Sequence, residues 1–188
     1  MGFTRAELES YRDATIPDFV PPHPVLLFVG INPGLWTAAT ATPFAHPGNR
    51  FWPALAAAGV LPRLPAFADG FDDADREMIL GRGIGVTSLV RRATARADEL
   101  TRDELRAGAA RVTADVQRWR PRVVAVVGIT AYRQGFGLPR AAAGEQTERI
   151  GGVPTWVVPN PSGLNAHDTV ASLAEAYAAP ARAAGLLA

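Results

Sequence analysis

The sequence predicts an α/β fold: a three-layer α/β/α sandwich around a small, mainly parallel central sheet. Three observations carry that reading. Val123-Val124-Ala125-Val126-Val127 is apolar at every position, as expected of a parallel strand covered on both faces. Strand-like runs alternate with helix-like runs along the chain, which places helices on both sides of one sheet. Two apolar runs also end in the same punctuation. Val25-Leu26-Leu27-Phe28-Val29 breaks into Gly30-Ile31-Asn32-Pro33-Gly34, and Trp156-Val157-Val158 breaks into Pro159-Asn160-Pro161-Ser162-Gly163-Leu164. Ligands of open α/β sheets bind beyond the carboxyl ends of the strands. The two loops therefore read as two walls of one site.

Taken in order, Thr4-Arg5-Ala6-Glu7 is a capping box that starts a short helix over 5–13. Pro17, Pro21, Pro22 and Pro24 then exclude regular structure until a first strand at 25–30. Residues 34–50 read as a long loop, Thr/Ala-rich and then Pro43-Phe44-Ala45-His46-Pro47-Gly48-Asn49-Arg50. Loops of that length inside compact domains are often functional. Phe51-Trp52-Pro53 opens a helix to about Ala58, ended by Gly59. Residues 60–74 read as loop, with Asp69, Asp72, Asp73 and Asp75 on a solvated acidic segment, before a helix at 75–81.

Gly85–Val90 is either a short strand or a loop bearing polar groups. The clearest helix is 102–119, capped by Thr101 and Glu104, with Leu105, Ala109, Val112, Val116 and Trp119 on one face. Pro121 stops it before the strand at 123–128, and a short helix follows at 129–135. Residues 146–150 and 154–158 flank Gly151-Gly152 as a hairpin or the lead-in to a strand. A final helix runs from about 168 to 178, with a further turn after Pro180.

The 188 residues favour one domain, 1–188, with a sizeable core. The N-terminal stretch alternates in charge and no apolar run is long enough to span a bilayer, so a cytoplasmic protein with no membrane partner is expected. There is no Cys, which excludes disulfides, Cys-ligated iron–sulfur clusters and thiolate zinc sites. There is no Lys either: all nineteen basic residues are Arg, which removes lysine Schiff-base chemistry and the P-loop lysine. His23, His46 and His167 match no metal spacing. Neither metal nor cofactor is expected. The net charge is +1. The arginines crowded into 91–122 are offset by acids in the same stretch, so any nucleic-acid contact is local.

Each candidate site residue has two readings. Asn32 precedes a proline and is held extended at a strand end. Its amide can orient a water but is never an ionised base; the same Asn-Pro-x-Gly is also a plain turn. Gly30 and Gly34 let backbone approach a ligand closely. Phe44, set among prolines, either stacks on a flat ligand or anchors its loop in the core. Leu164 either wedges into a base stack or packs under the next helix. His46 is a ligand donor or a loop hydrogen-bonder. Asp98, among Arg91, Arg92 and Arg96, either holds a water or steadies a cation, or else makes a surface ion pair or caps a turn. Ser162, His167 and Asp168 lie within seven residues and lack a nucleophile elbow, so a serine triad is set aside.

GINPG, PFAHPGNRFW and NPSGL, in that order, resemble the mismatch-specific uracil-DNA glycosylases, which group with the thymine-DNA glycosylases in the uracil-DNA glycosylase superfamily. The resemblance covers about residues 25–178. It implies an α/β/α sandwich that hydrolyses the N-glycosidic bond of uracil, mismatched uracil above all, flipped out of double-stranded DNA. It implies that Asn32 positions the attacking water, that Gly30, Ile31, Thr37 and Phe44 surround the base, and that Asn160 and Ser162 belong to the second loop. Gly163, Leu164 and Asn165 would fill the vacated stack. The sequence departs from the commoner pattern at Trp36-Thr37, where smaller residues are usual at the edge of the base. A monofunctional, monomeric enzyme is expected. The alternatives are a non-catalytic module binding nucleotides or abasic DNA, and a nucleoside or ester hydrolase.

Overall fold

The computed structural model describes residues 2–163 and 167–188. Among these residues, five strands form one sheet: β1 (Leu26–Gly30), β2 (Ile84–Ser88), β3 (Val123–Val127), β4 (Gly144–Glu145) and β5 (Thr155–Val158). Their order is β2-β1-β3-β5-β4. All pairs are parallel except β4 with β5. Alternate side chains leave the sheet on opposite faces, and two cores result. Leu26, Phe28, Ile84, Val86, Ala125 and Val127 bury against one helical layer: α3 (Phe51–Ala57), α4 (Asp73–Gly81) and α7 (Val170–Ala183). Leu27, Val29, Val124, Val126 and Val157 bury against α5 (Arg102–Trp119) and α6 (Ile129–Gly135). The predicted three-layer sandwich and its mainly parallel sheet are present.

The capping boxes of Thr4 and Thr101 form as read from the sequence. Helices α5 and α6 keep their predicted bounds, strand β3 ends one residue before the expected Gly128, and Gly85–Ser88 belongs to a strand. Several expectations fail. The 34–50 loop contains a helix, α2 (Leu35–Thr40), capped by Gly34 and closed by a left-handed Ala41. Its Leu35 and Ala38 bury against Ala93, which outweighs the poor propensity of its threonines. The first helix, α1 (Arg5–Glu9), stops before residue 13. Asp75 is fully buried rather than solvated. It accepts hydrogen bonds from Arg63 and from the Ala66 N–H at 2.9 Å, folding the 60–72 segment around itself. The partner of β5 is 144–145, not 146–150. Pro180 lies inside α7, where burial of Leu173, Tyr177, Ala181 and Ala184 offsets a cost of about 3 kcal/mol.

The N-terminal arm runs along the outer side of β2. Phe19 and Val86 exchange both backbone hydrogen bonds, at 2.9 and 2.7 Å. The Ile16 N–H donates to Arg91 O, and Asp13 and Ala14 bond to Ala93. Leu8, Tyr11, Ala14 and Ile16 then cover Leu35, Ala38 and Ala93.

Candidate active site

Because β1, β2, β3 and β5 are parallel, their carboxyl ends share one edge of the sheet. The two Asn-Pro loops leave β1 and β5, and β3 lies between those strands. A side chain at Gly128, just past β3, would reach Ile31 at 3.7 Å and Asn160 at 4.0 Å. The loops therefore do face one space. A cavity of about 760 Å³ opens there, lined by Gly30, Ile31, Asn32, Thr37, Phe44, Asn160, Ser162 and Gly163 among others. Its size suits a small-molecule site.

Asn32 is held by its amide nitrogen. Nδ2 lies 3.1 Å from Pro33 O, 3.0 Å from Arg92 O and 2.7 Å from Thr94 Oγ1. The two carbonyls can only accept. Thr94 donates its own proton to Arg96 O at 2.8 Å, so it too accepts from Asn32. Three acceptors fix the orientation of the amide, and no hydrogen bond from the described residues reaches Oδ1. The site thus holds an uncharged, pre-aimed acceptor. The segment carrying Arg92 O and Thr94 is secured in turn. Arg92 bonds Glu104 at 3.0 Å and Asp13 at 2.8 Å. The hydrogen bond from Arg92, helped by the Thr101 backbone, lowers the Glu104 carboxyl to about 2.

Phe44 anchors its loop against the core and also stands at the cavity. Its ring stacks on buried Phe51, with centroids 4.0 Å apart and planes at 22°, and it also lines the cavity. It adopts φ +56°, a left-handed conformation costly for an aromatic residue. Trp52 secures the loop by donating to Pro43 O at 2.8 Å. Gly30 leaves room for this arrangement: a Cβ there would lie 3.3 Å from the Phe44 ring and 3.6 Å from Ser88 Oγ. Thr37 and Ser88 line the cavity, and no hydrogen bond to the described residues engages either hydroxyl.

Trp36 is turned to a structural task. Its indole N–H donates to Ala68 O at 2.8 Å, and its ring meets Phe3 and His46 edge-on. His46 lines the cavity, and its Nδ1 accepts from the Gly48 N–H at 3.1 Å, which leaves Nε2 as the nitrogen able to donate to a ligand.

The second loop is tied back on itself. Asn160 Oδ1 accepts from the Ser162 N–H at 3.1 Å, an Asx turn. The Tyr177 hydroxyl donates to Pro159 O at 2.9 Å, and burial pushes its pKa far above the usual phenol value. Leu164 and Asn165 lie outside the described residues.

Asp98 is not brought to the cavity lining. It sits on an exposed single turn and forms a two-pronged ion pair with Arg96, at 2.6 and 3.1 Å. Among the described residues lining the cavity, the one carboxylate is Asp18, which accepts from Thr87 Oγ1 at 2.6 Å and pairs with Arg91. Asp18, Ser88 and Thr94 were not singled out from sequence. Asp18 follows Pro17 in an irregular stretch, and the partners of Thr94 are remote in sequence, so no local pattern marks them.

An oriented neutral acceptor in an aromatic-lined cavity suits a hydrolase that directs water rather than a covalent catalyst. Residues 17–180 match the family model of the uracil DNA glycosylase superfamily, and the chain belongs to that superfamily. It is accordingly a hydrolase of DNA repair, a DNA glycosylase of the uracil class whose partner is DNA. The first part of the N-terminal arm, before residue 17, precedes the matched span, yet its Leu8 and Ile16 line the cavity.

Proposed function

We propose that the protein is a monofunctional glycosylase that removes uracil from double-stranded DNA, preferring uracil opposite guanine, and works as a monomer. The observation that carries this reading is the pinned amide of Asn32. The flipped uracil lies between the Gly30–Ile31 backbone and the Phe44 ring, with Thr37 and Ser88 hydroxyls within the same cavity. As the C1′–N1 bond breaks, uracil leaves with the electron pair and C1′ gains oxocarbenium character. A water whose O–H donates to Asn32 Oδ1 presents its oxygen to C1′ and forms the new bond. Its proton passes to the departed uracil anion or to solvent, because an amide does not keep it. General-base catalysis usually contributes about 10²–10⁴-fold, so an enzyme without it is slow and depends on a leaving group that departs by itself. The absence of lysine supports a monofunctional course, since no side-chain amine exists to form an imine at C1′.

Selectivity for a mismatch follows from flipping, which costs least where pairing is weakest. Ser162 and Gly163, with Leu164 and Asn165, fill the space the base leaves. The test is a panel of duplexes with uracil, thymine or 5-substituted uracil opposite guanine or adenine, followed by alkali to break abasic sites. Breaks at uracil, faster opposite guanine, are expected. No breaks in any duplex, with tight binding to abasic DNA, would replace the enzyme with a non-catalytic binding module.

A further inference from the structure

Arg50 stands between the two loops and bonds to both sides of the second. Its backbone N–H donates to Pro161 O at 3.0 Å. Its guanidinium donates to Ser162 O at 2.6 Å and also to Asp168 O. Those two carbonyls are six positions apart in sequence, so one planar fork ties Ser162 to Asp168. The neighbouring packing leaves no slack. A Cβ on Gly163 would lie 2.8 Å from Gly48 O, a backbone atom that cannot step aside. On its other side Arg50 leads directly into Phe51, the ring that backs Phe44. The aromatic plate and the second loop are thereby mounted on the same two residues.

We propose that Arg50 is a positioning residue that couples base stacking to the holding-open of the duplex. Resting on the glycosylase reading above, this assigns to Arg50 the dependence of excision on how strongly the target base is paired. Arg50 is not among the residues that line the cavity. It fixes Pro161, Ser162 and Asp168 of the second loop, so its loss weakens the flipped state. A strongly paired uracil needs that support most, and a uracil with no partner needs it least. Lysine does not substitute, because a compact ammonium lacks the planar fork that spans two carbonyls.

The experiment compares wild type with Arg50→Lys and Arg50→Gln on uracil opposite adenine, opposite guanine and opposite an abasic spacer. It also measures affinity for a duplex carrying a stable abasic analogue. Graded losses are expected: roughly 30-fold or more opposite adenine, about 10-fold opposite guanine and under about threefold opposite the spacer, on the scale of one or two charge-assisted hydrogen bonds. Abasic-duplex affinity falls about 10-fold. Gly163→Ala disturbs the same loop, through Gly48 O rather than Arg50, and gives the same graded order. Equal losses on all three substrates, as general destabilisation produces, or unchanged abasic affinity in the Arg50 variants, would overturn the proposal. If wild type cleaves no uracil at all, the glycosylase reading fails by itself, and abasic affinity still decides the role of Arg50.

Discussion

The loops after β1 and β5 share an Asn-Pro step and use it in opposite ways. In the first, the Asn32 nitrogen is consumed by three acceptors and the oxygen is left for the cavity. In the second, the Asn160 oxygen turns back to the Ser162 N–H, so the amide serves the loop itself. Identical residues before proline thus become an aimed acceptor in one place and a brace in the other. The difference lies in what surrounds them. Asn32 meets the 92–96 segment, rich in acceptors, whereas Asn160 meets its own backbone and a loop clamped from outside by Arg50 and Tyr177.

The comparison can be broken from its strong end. Asn32→Ala should lower single-turnover uracil excision about 10²-fold or more, the scale seen when one oriented polar group is removed from a transition state. Its affinity for uracil-containing duplex should stay within about twofold, and near-normal excision would return Asn32 to a turn residue. Thr94→Val removes one acceptor and loosens the amide without touching substrate. A fall of about 10-fold in kcat with KM unchanged, restored by Thr94→Ser, is expected from one lost hydrogen bond.

Asn160→Ala sharpens the contrast. Removing the brace should weaken abasic-product binding by about 3–10-fold, corresponding to 0.5–1.5 kcal/mol, while the chemical step changes little. A chemical step as impaired as that of Asn32→Ala would erase the distinction between the loops.

Two smaller effects test the surroundings. Glu104, held at about 2 against an ordinary 4.5, binds its proton more readily once the chain unfolds. Its contribution to stability is complete above about pH 4.5 and is lost as pH falls through about 2. Thermal unfolding followed from pH 5 to pH 2 should therefore decline less steeply in Glu104→Gln than in wild type. Asp98→Ala should leave excision within about twofold, because the exposed pair with Arg96 is screened by solvent. A strong drop would bring that carboxylate back into the chemistry.

Much of the fold was legible because single segments declare it. Strand β3 is uniformly apolar, α5 has a capping box and an unbroken face, and both Asn-Pro loops follow apolar runs. Helix α2 was hidden because its buried face is short and depends on Ala93 and the N-terminal arm. Pro180 was read as a breaker because the core that holds α7 together is tertiary. Within the site, Asn32 and Phe44 announced themselves through local motifs. The groups that orient them did not. Thr94 is 62 residues from Asn32, and Ser162 is 112 residues from the Arg50 side chain that holds it. The Asp98–Asp18 contrast has the same cause: nearby arginines are visible in a sequence, while the wall of a cavity is assembled from strands far apart.

Phe19 matters beyond the cavity. Strand β2 lies at one end of the sheet order, and its outward N–H and C=O at Val86 are taken by Phe19 rather than by solvent. Pro17, Pro21 and Pro22 flank that bridge and offer no N–H donors of their own. The arm therefore closes the strand against invasion by another chain's strand. A cut or a fusion that peels the arm away would bare unpaired peptide groups beside the cavity. Self-association would then appear as a problem of handling the protein before any change in its chemistry was noticed.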